Sequence, residues 1–265
     1  MKRFIVMLLL VTWCLPLGSA LAAESITCWF APGWKSMDQA NAIADALSKG
    51  TGADVKPRIA TSYPEILDAF ASKNLNLVYA GSFVQSVIVA RKLGTPLAQN
   101  ADGKELYAGI MVYKAGEPKE ILVGDPDKIA YAIGASSGES SAKAATNGKA
   151  SMGVASHGAA VEAVISGKAK AAVVKDSWWA SNKEKYAGFK AYEIPGVSEK
   201  KNPDNVLTAS SEVPAAMAEK IKAAAISGSA AFGQGANMKT FSNSQLNFSL
   251  GLMMKGKIDP LSYKW

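Results

Sequence analysis

Short apolar runs alternate along this chain with stretches in which apolar residues recur at helical spacing. Ser25–Phe30 is a mostly apolar run closed by Ala31-Pro32-Gly33, which predicts a strand and a turn. From Met37 to Leu47, the positions Ala40, Ile43, Ala44 and Leu47 mark one helix face, and Gly50 and Gly52 mark its end. Val55–Ala60 reads as a second strand. Pro64 suits the first position of the next helix, with Ser62 or Tyr63 as its cap and Ile66, Leu67 and Phe70 on its inner face. Leu75–Tyr79 predicts a strand and Ser82–Arg91 a helix. This alternation implies βαβ units and a mostly parallel sheet.

The rhythm resumes after the long apolar run Tyr107–Lys114. Lys128–Ile133 predicts a strand leading into Gly134-Ala135-Ser136-Ser137-Gly138, with a helix beginning over Ser140–Thr146. His157–Ile165 predicts a helix and Ala169–Val174 a strand. Lys183–Pro195 and Glu199–Asn205 are polar and turn-rich. Val206–Ser210 predicts a strand, Pro214–Ile226 a helix, and the tail to Trp265 further helices. The fold class expected is α/β, with two Rossmann-like lobes, a ligand cleft between them and two crossings, near Tyr107–Lys114 and Val206–Ser210. The lobes are expected over residues 23–108 plus 209–265 and over residues 109–208.

The first segment follows neither rhythm. Lys2-Arg3, an apolar run from Phe4 to Leu15 and a small-residue end at Ala20-Leu21-Ala22 predict a secretory signal peptide over residues 1–22. A membrane anchor is disfavoured because small residues rather than basic ones follow the run, and a lipidated Cys14 because bulky Trp13 precedes it. The expected product is exported to the periplasm with no integral membrane segment.

Processing changes the arithmetic. The full chain carries 29 Lys and Arg against 22 Asp and Glu, a formal charge of +7, and two cysteines. Loss of Lys2, Arg3 and Cys14 leaves +5 and Cys28 alone, so no internal disulfide is available. A composition 49% hydrophobic and 19% charged excludes a disordered chain. Lys168, Lys170, Lys175, Lys183, Lys185, Lys190, Lys200 and Lys201 are spread among acids without aromatic interleaving, which reads as a solvated surface rather than a nucleic-acid footprint.

Open α/β sheets bind ligands where strand C-termini meet helix N-termini. Gly134–Gly138 is such a turn: its backbone N–H groups, the hydroxyls of Ser136, Ser137, Ser140 and Ser141, and the positive helix end favour an oxyanion. Capping of the helix by one serine is the plainer reading. The segment also matches G-x-S-x-G, the nucleophile elbow of secreted hydrolases, with Ser136 as nucleophile and His157 as the sole available base. Only Glu139 lies between them as an acid, so the partners and chain order of a triad are lacking. Ser140 and Lys143 form a solitary S-x-x-K. One His, one free Cys and no clustered carboxylates exclude the usual metal sites, and no cofactor is implied. Tyr63, Tyr79 and Tyr107 stand at strand or helix ends where a phenol can wall a cleft or pack in a core. Of Trp178 and Trp179, one is expected at the cleft and the other in the core.

These segments together resemble the periplasmic solute-binding proteins of phosphonate-type ABC transporters, a branch of the type II periplasmic binding fold. Ala60–Ala69 is similar to the family's second strand and following helix, and Leu75–Gly81 to its third strand, with Asn76 in an Asp place. Tyr107–Val112 resembles the first lobe crossing, Ala135-Ser136-Ser137-Gly138 the anion loop, and Ser156-His157 with Ala163–Gly167 the helix that bears a ligand-contacting His. The resemblance implies a two-lobed clamp without enzymatic activity that delivers phosphonate, phosphate, phosphite or a related oxyanion to a membrane permease, expected as a monomer. It implies Ser136, Ser137 and His157 on the oxyanion, Gly138 and Ser140 beside them, and Tyr63, Tyr79 and Tyr107 along the cleft. Ala135 replaces the loop's first hydroxyl and Lys170 stands where the family has Asp. Asp176 is the nearest candidate for a carboxylate facing a ligand's amino group.

Overall fold

The computed structural model describes residues 25–34 and 36–265, so the expected signal peptide lies outside the described residues. The chain runs through β1 (Ser25–Phe30), α1 (Met37–Thr51), β2 (Asp54–Ile59), α2 (Tyr63–Ala71), β3 (Asn76–Ala80), α3 (Ser82–Ala90) and β4 (Gly94–Asn100). A short β5 (Leu106–Tyr107) leads to β6 (Gly109–Tyr113), α4 (Pro118–Gly124), β7 (Ile129–Ala132), α5 (Ser137–Ala145), β8 (Met152–Val154), α6 (His157–Ile165), β9 (Ala171–Lys175), α7 (Asp176–Asn182) and β10 (Lys190–Tyr192). It returns through β11 (Asn202–Pro203) to β12 (Val206–Ser210), α8 (Ala215–Ser227), β13 (Met238–Thr240) and α9 (Asn247–Lys255).

The strands form two sheets of matching design, ordered β13-β4-β12-β3-β1-β2 and β10-β6-β9-β7-β8. In each, three parallel strands are followed by one antiparallel strand, β12 or β6, that enters just after the chain has crossed from the other sheet. The two connections pair with each other as a small ribbon, Tyr107 opposite Asn202 and Leu106 opposite Pro203. Each sheet is covered on both faces. The first has α1 and α8 on one side, around Ile43, Leu47, Tyr79 and Ile221, and α2 and α3 on the other, around Leu67, Phe70 and Val87. The second is covered by α5 and α9 around Met111 and Leu252, and by α6 and α7 around Val161 and Trp179.

Local signals explain most element ends. Ser36, Ser62, Ser136 and Ser156 cap their helices by accepting from the N–H three residues on, and Gly52 ends α1 in a left-handed turn. Because Ser136 is the cap, α5 begins at Ser137, three residues ahead of the sequence expectation. Pro57 is accommodated because β2 is an edge strand. Four strands carry no periodic signal: β4, β8, β10 and β13. In the first of these, Pro96 sits inside an interior strand opposite Thr208, where the register of β12 slips by a bulge.

Candidate functional site

The C-terminal ends of both parallel trios face one cleft. After β1 the chain contributes Trp34, after β2 Tyr63 and after β3 Gly81; after β7 it contributes Ala135 and Ser137, after β8 His157, and after β9 Lys175 and Trp178. Two connected chambers lie here. The inner one, of about 40 Å³, is lined by Tyr63, Gly81, Tyr107, Ser137, Lys175 and Asp204 among others. The outer one, of about 520 Å³, shares Tyr63, Lys175 and Asp204 with it and adds Trp34, Tyr79, His157, Trp178 and Phe232.

The serine-rich turn is more committed than its composition implies. Gly134 and Ala135 both take left-handed backbone conformations, and their N–H groups donate to Glu139 Oε2 at 3.0 and 3.2 Å. That carboxylate also accepts from Tyr263 OH at 2.6 Å, and its other oxygen from Lys143 Nζ at 2.9 Å. Thus two of the N–H groups that the sequence offers to an anion are occupied by a carboxylate from the same helix. Ser136 is fully buried, accepting from Glu139 N and donating to the Ala132 carbonyl. Its hydroxyl is a helix cap without a hydrogen bond to His157, so the nucleophile and base of a hydrolase are not paired. Ser140 is buried and donates to the Ser137 carbonyl. Of the serines in the turn, Ser137 lines the inner chamber.

His157 opens α6 beside that turn. Gly138 permits the approach: a Cβ there would lie 3.3 Å from the imidazole and 2.6 Å from the Val173 carbonyl. His157 lines the outer chamber as a partly buried residue, yet both ring nitrogens are shielded from solvent with no hydrogen-bond partner. Desolvation, then the nearby Lys175 ammonium, lowers its pKa to about 3, so the ring is neutral and offers one N–H. A buried polar side chain without partners is costly unless something else meets it.

Lys175 was expected on a solvated surface and is instead half-buried in the cleft. As the last residue of β9 it projects from the strand's C-terminal end, over the Tyr107 ring at 4.8 Å, and its Nζ meets Asp204 Oδ2 at 2.6 Å. The other Asp204 oxygen is buried without a donor. Since this pair is neutral overall and His157 is uncharged, the inner chamber has no net side-chain charge of its own.

Tyr107 OH lies 3.0 Å from Ser82 Oγ, which is 2.7 Å from Ser249 Oγ, itself 2.8 Å from Asn202 Oδ1. Asn202 gives its N–H to the Tyr107 carbonyl, so its oxygen is the end of the chain and only accepts. The single Ser249 hydroxyl proton faces both Ser82 Oγ and Asn202 Oδ1, and in the bond between Ser82 and Tyr107 either hydroxyl can donate. Burial raises the phenol pKa of Tyr107 and Tyr79 strongly, and pushes Tyr63 up to about 12 with help from Asp204.

Among the remaining expected residues, Tyr79 packs in a wall with Phe30, Trp34 and Phe232. Trp178 faces the cleft beside His157, 5.7 Å between ring centroids, while Trp179 is buried and stacks on Tyr186. Asp176 does not join the cleft. It accepts from Ser177 N, lies 3.6 Å from Lys200, and lines a separate groove of about 1030 Å³ beside the ribbon. Lys170 pairs with Asp125 at the surface. Asp204, Trp34 and Phe232 were missed by sequence reasoning. Asp204 had one available signal, its place just before the strand that re-enters the first sheet. Among the described residues no cluster of His, Cys, Asp and Glu suits a metal, and no helix is long and apolar enough to cross a membrane.

Residues 35–242 match the family model for the periplasmic substrate-binding protein of phosphonate ABC transporters. No curated protein sequence matches the chain. Among solved structures, it is similar to PhnD1 from Prochlorococcus marinus in complex with methylphosphonate, at 15% identity and a TM-score of 0.63, covering 87% of this chain and 97% of that one. It is also similar to a binding protein component of an ABC phosphonate transporter from Pseudomonas aeruginosa, at 15% identity and a TM-score of 0.64, covering 88% and 87%. A Xanthomonas citri protein bound to ATP matches at 10% identity and a TM-score of 0.64, covering 88% and 98%.

Proposed function

Because this chain belongs to the family of periplasmic substrate-binding proteins of phosphonate ABC transporters, with the type II periplasmic binding fold, we propose that it captures a phosphonate or related oxyanion in the cleft described above. In this reading it is an exported monomer, without catalytic activity, that passes its ligand to a membrane permease. The division expected from the sequence, residues 23–108 plus 209–265 against residues 109–208, would cut through β12, a strand of the first sheet; flexing at the ribbon of β5 and β11 instead puts the return to the first lobe ahead of Val206.

The observation that carries the proposal is His157, a neutral imidazole beside a helix N-terminus with both nitrogens buried and unpartnered. An oxyanion where the inner chamber opens into the outer one, at Lys175, would accept from Ser137 on the inner side, from Lys175, and from the His157 N–H on the outer side, and would face the positive ends of α5 and α6. The open space holds about three water-sized groups, the number of oxygens on a phosphonate. The neutral side-chain complement favours a singly charged ligand, whose remaining P–OH proton suits the unpartnered Asp204 Oδ1. Methylphosphonate and ATP, held by two structural relatives, bracket the sizes to be tested.

The test is isothermal calorimetry and thermal shift with methylphosphonate, phosphite, phosphate, ATP and sulfate. Saturating ligand should raise the melting temperature by mass action, and Ser137→Ala and His157→Asn should each weaken binding roughly tenfold, about 1.4 kcal/mol. Absence of a response to every one of these anions would overturn the proposal.

A further inference from the structure

The outer chamber is more than ten times the size of the inner one, and its walls differ in kind. On one side Trp34, Tyr79 and Phe232 form a continuous aromatic array, with centroids 5.8 Å apart between Trp34 and Tyr79 and 5.2 Å between Tyr79 and Phe232. Gln39 donates to the Phe232 carbonyl at 2.9 Å and ties that end of the array to α1. Trp178, on α7 of the other lobe, also lines the chamber. Trp34 Nε1 is buried without a hydrogen-bond partner among the described residues, a donor with nothing to meet.

An inorganic oxyanion or methylphosphonate fills the inner chamber and leaves this aromatic space to water. Aromatic walls contributed by both lobes, with an unpartnered indole N–H, match a planar ring that carries a hydrogen-bond acceptor. Resting on the oxyanion reading above, we propose that the ligand is a phosphonate or phosphate monoester whose organic substituent is an aromatic or heteroaromatic ring, held in the outer chamber by Trp34, Tyr79, Phe232 and Trp178. The head group binds in the inner chamber and the ring is gripped as the lobes meet, so the outer chamber determines which anions are retained.

The experiment compares methylphosphonate, benzylphosphonate, pyridylmethylphosphonate and cyclohexylmethylphosphonate by calorimetry on the processed protein. Benzylphosphonate is expected to bind at least tenfold more tightly than methylphosphonate, and more tightly than its saturated analogue. Trp178→Leu and Phe232→Leu, each checked for folding by circular dichroism, should lower the benzyl-to-methyl affinity ratio at least threefold. Trp34→Phe, which keeps the ring but removes the N–H, should erase any advantage of the pyridyl over the benzyl compound. Methylphosphonate binding as tightly as benzylphosphonate, equal binding of the saturated analogue, or variants that lower both affinities alike would each overturn this inference while leaving the oxyanion reading intact. Failure of every phosphonate to bind would overturn this inference, and the oxyanion reading would fall with it only if phosphite, phosphate, ATP and sulfate also fail to bind.

Discussion

Acidification should expose the cost of keeping His157 uncharged. In the unfolded chain this imidazole takes up a proton near pH 6.5, whereas in the fold it stays neutral to about pH 3 because both nitrogens are desolvated and Lys175 is close. Between those values the unfolded state binds the extra proton, so stability falls as pH falls. A fully sealed ring would lose about 1.4 kcal/mol per pH unit, roughly 2.7 kcal/mol by pH 4.5. Because His157 is partly buried as a residue and lines the cleft, water can share the charge, and a loss of about 1.5 kcal/mol is the figure we expect after that screening. For a chain of this size it corresponds to about 4 °C in melting temperature. The assay is the drop in melting temperature from pH 7 to pH 4.5 for wild type and for His157→Asn, in phosphate-free buffer. Carboxylates contribute equally to both proteins, so the drop should be about 4 °C smaller in the variant. Equal drops would show that the imidazole is not held neutral.

Three further outcomes follow from the same geometry. Glu139→Ala should cost about 3 kcal/mol in urea unfolding, because Gly134 N, Tyr263 OH and Lys143 lose their acceptor and Ala135 N keeps only Tyr263 OH; a loss below about 1 kcal/mol would mean that the carboxylate does not organise the turn. Gly134→Ala should destabilise by roughly 2 kcal/mol, since its φ is +86° and a Cβ would sit 2.4 Å from Pro64 Cδ across the lobe contact, and an unchanged midpoint would refute that close approach. Cys28 is fully buried, with its thiol pushed up to about 12, so the native processed protein should not react with a thiol reagent at pH 8 and should yield one thiol after denaturation; rapid native labelling would contradict the packing of β1.

Much of this molecule is written in short-range pattern. The helix face of Ala40, Ile43, Ala44 and Leu47, the serine caps and the strand-turn-helix at Gly134–Gly138 depend on residues within one or two turns of each other, and periodicity reports such relations directly. The strands β4, β8, β10 and β13 lack that signature because pairing with distant neighbours, rather than their own composition, makes them strands. The site divides in the same way. That the serine-rich turn follows a strand and opens a helix, and that His157 begins one, are local facts readable from the sequence, whereas the start of α5 at Ser137 and the strand β8 before His157 are not.

Which groups are free to act was decided by tertiary structure. Folding assigns two N–H groups of the turn to Glu139, ties the Tyr107 hydroxyl to Ser82, Ser249 and Asn202, and turns Asp176 into another groove. It also takes Lys175 from an apparently solvated set and sets it against Asp204, a residue from the other side of the ribbon. Sheet order and the pairing of two remote connections bring these groups within hydrogen-bond range. Hydrogen-bond saturation and electrostatic neutrality are properties of such three-dimensional neighbourhoods, whereas the sequence by itself determined the elements, their caps and the residue types available at their ends.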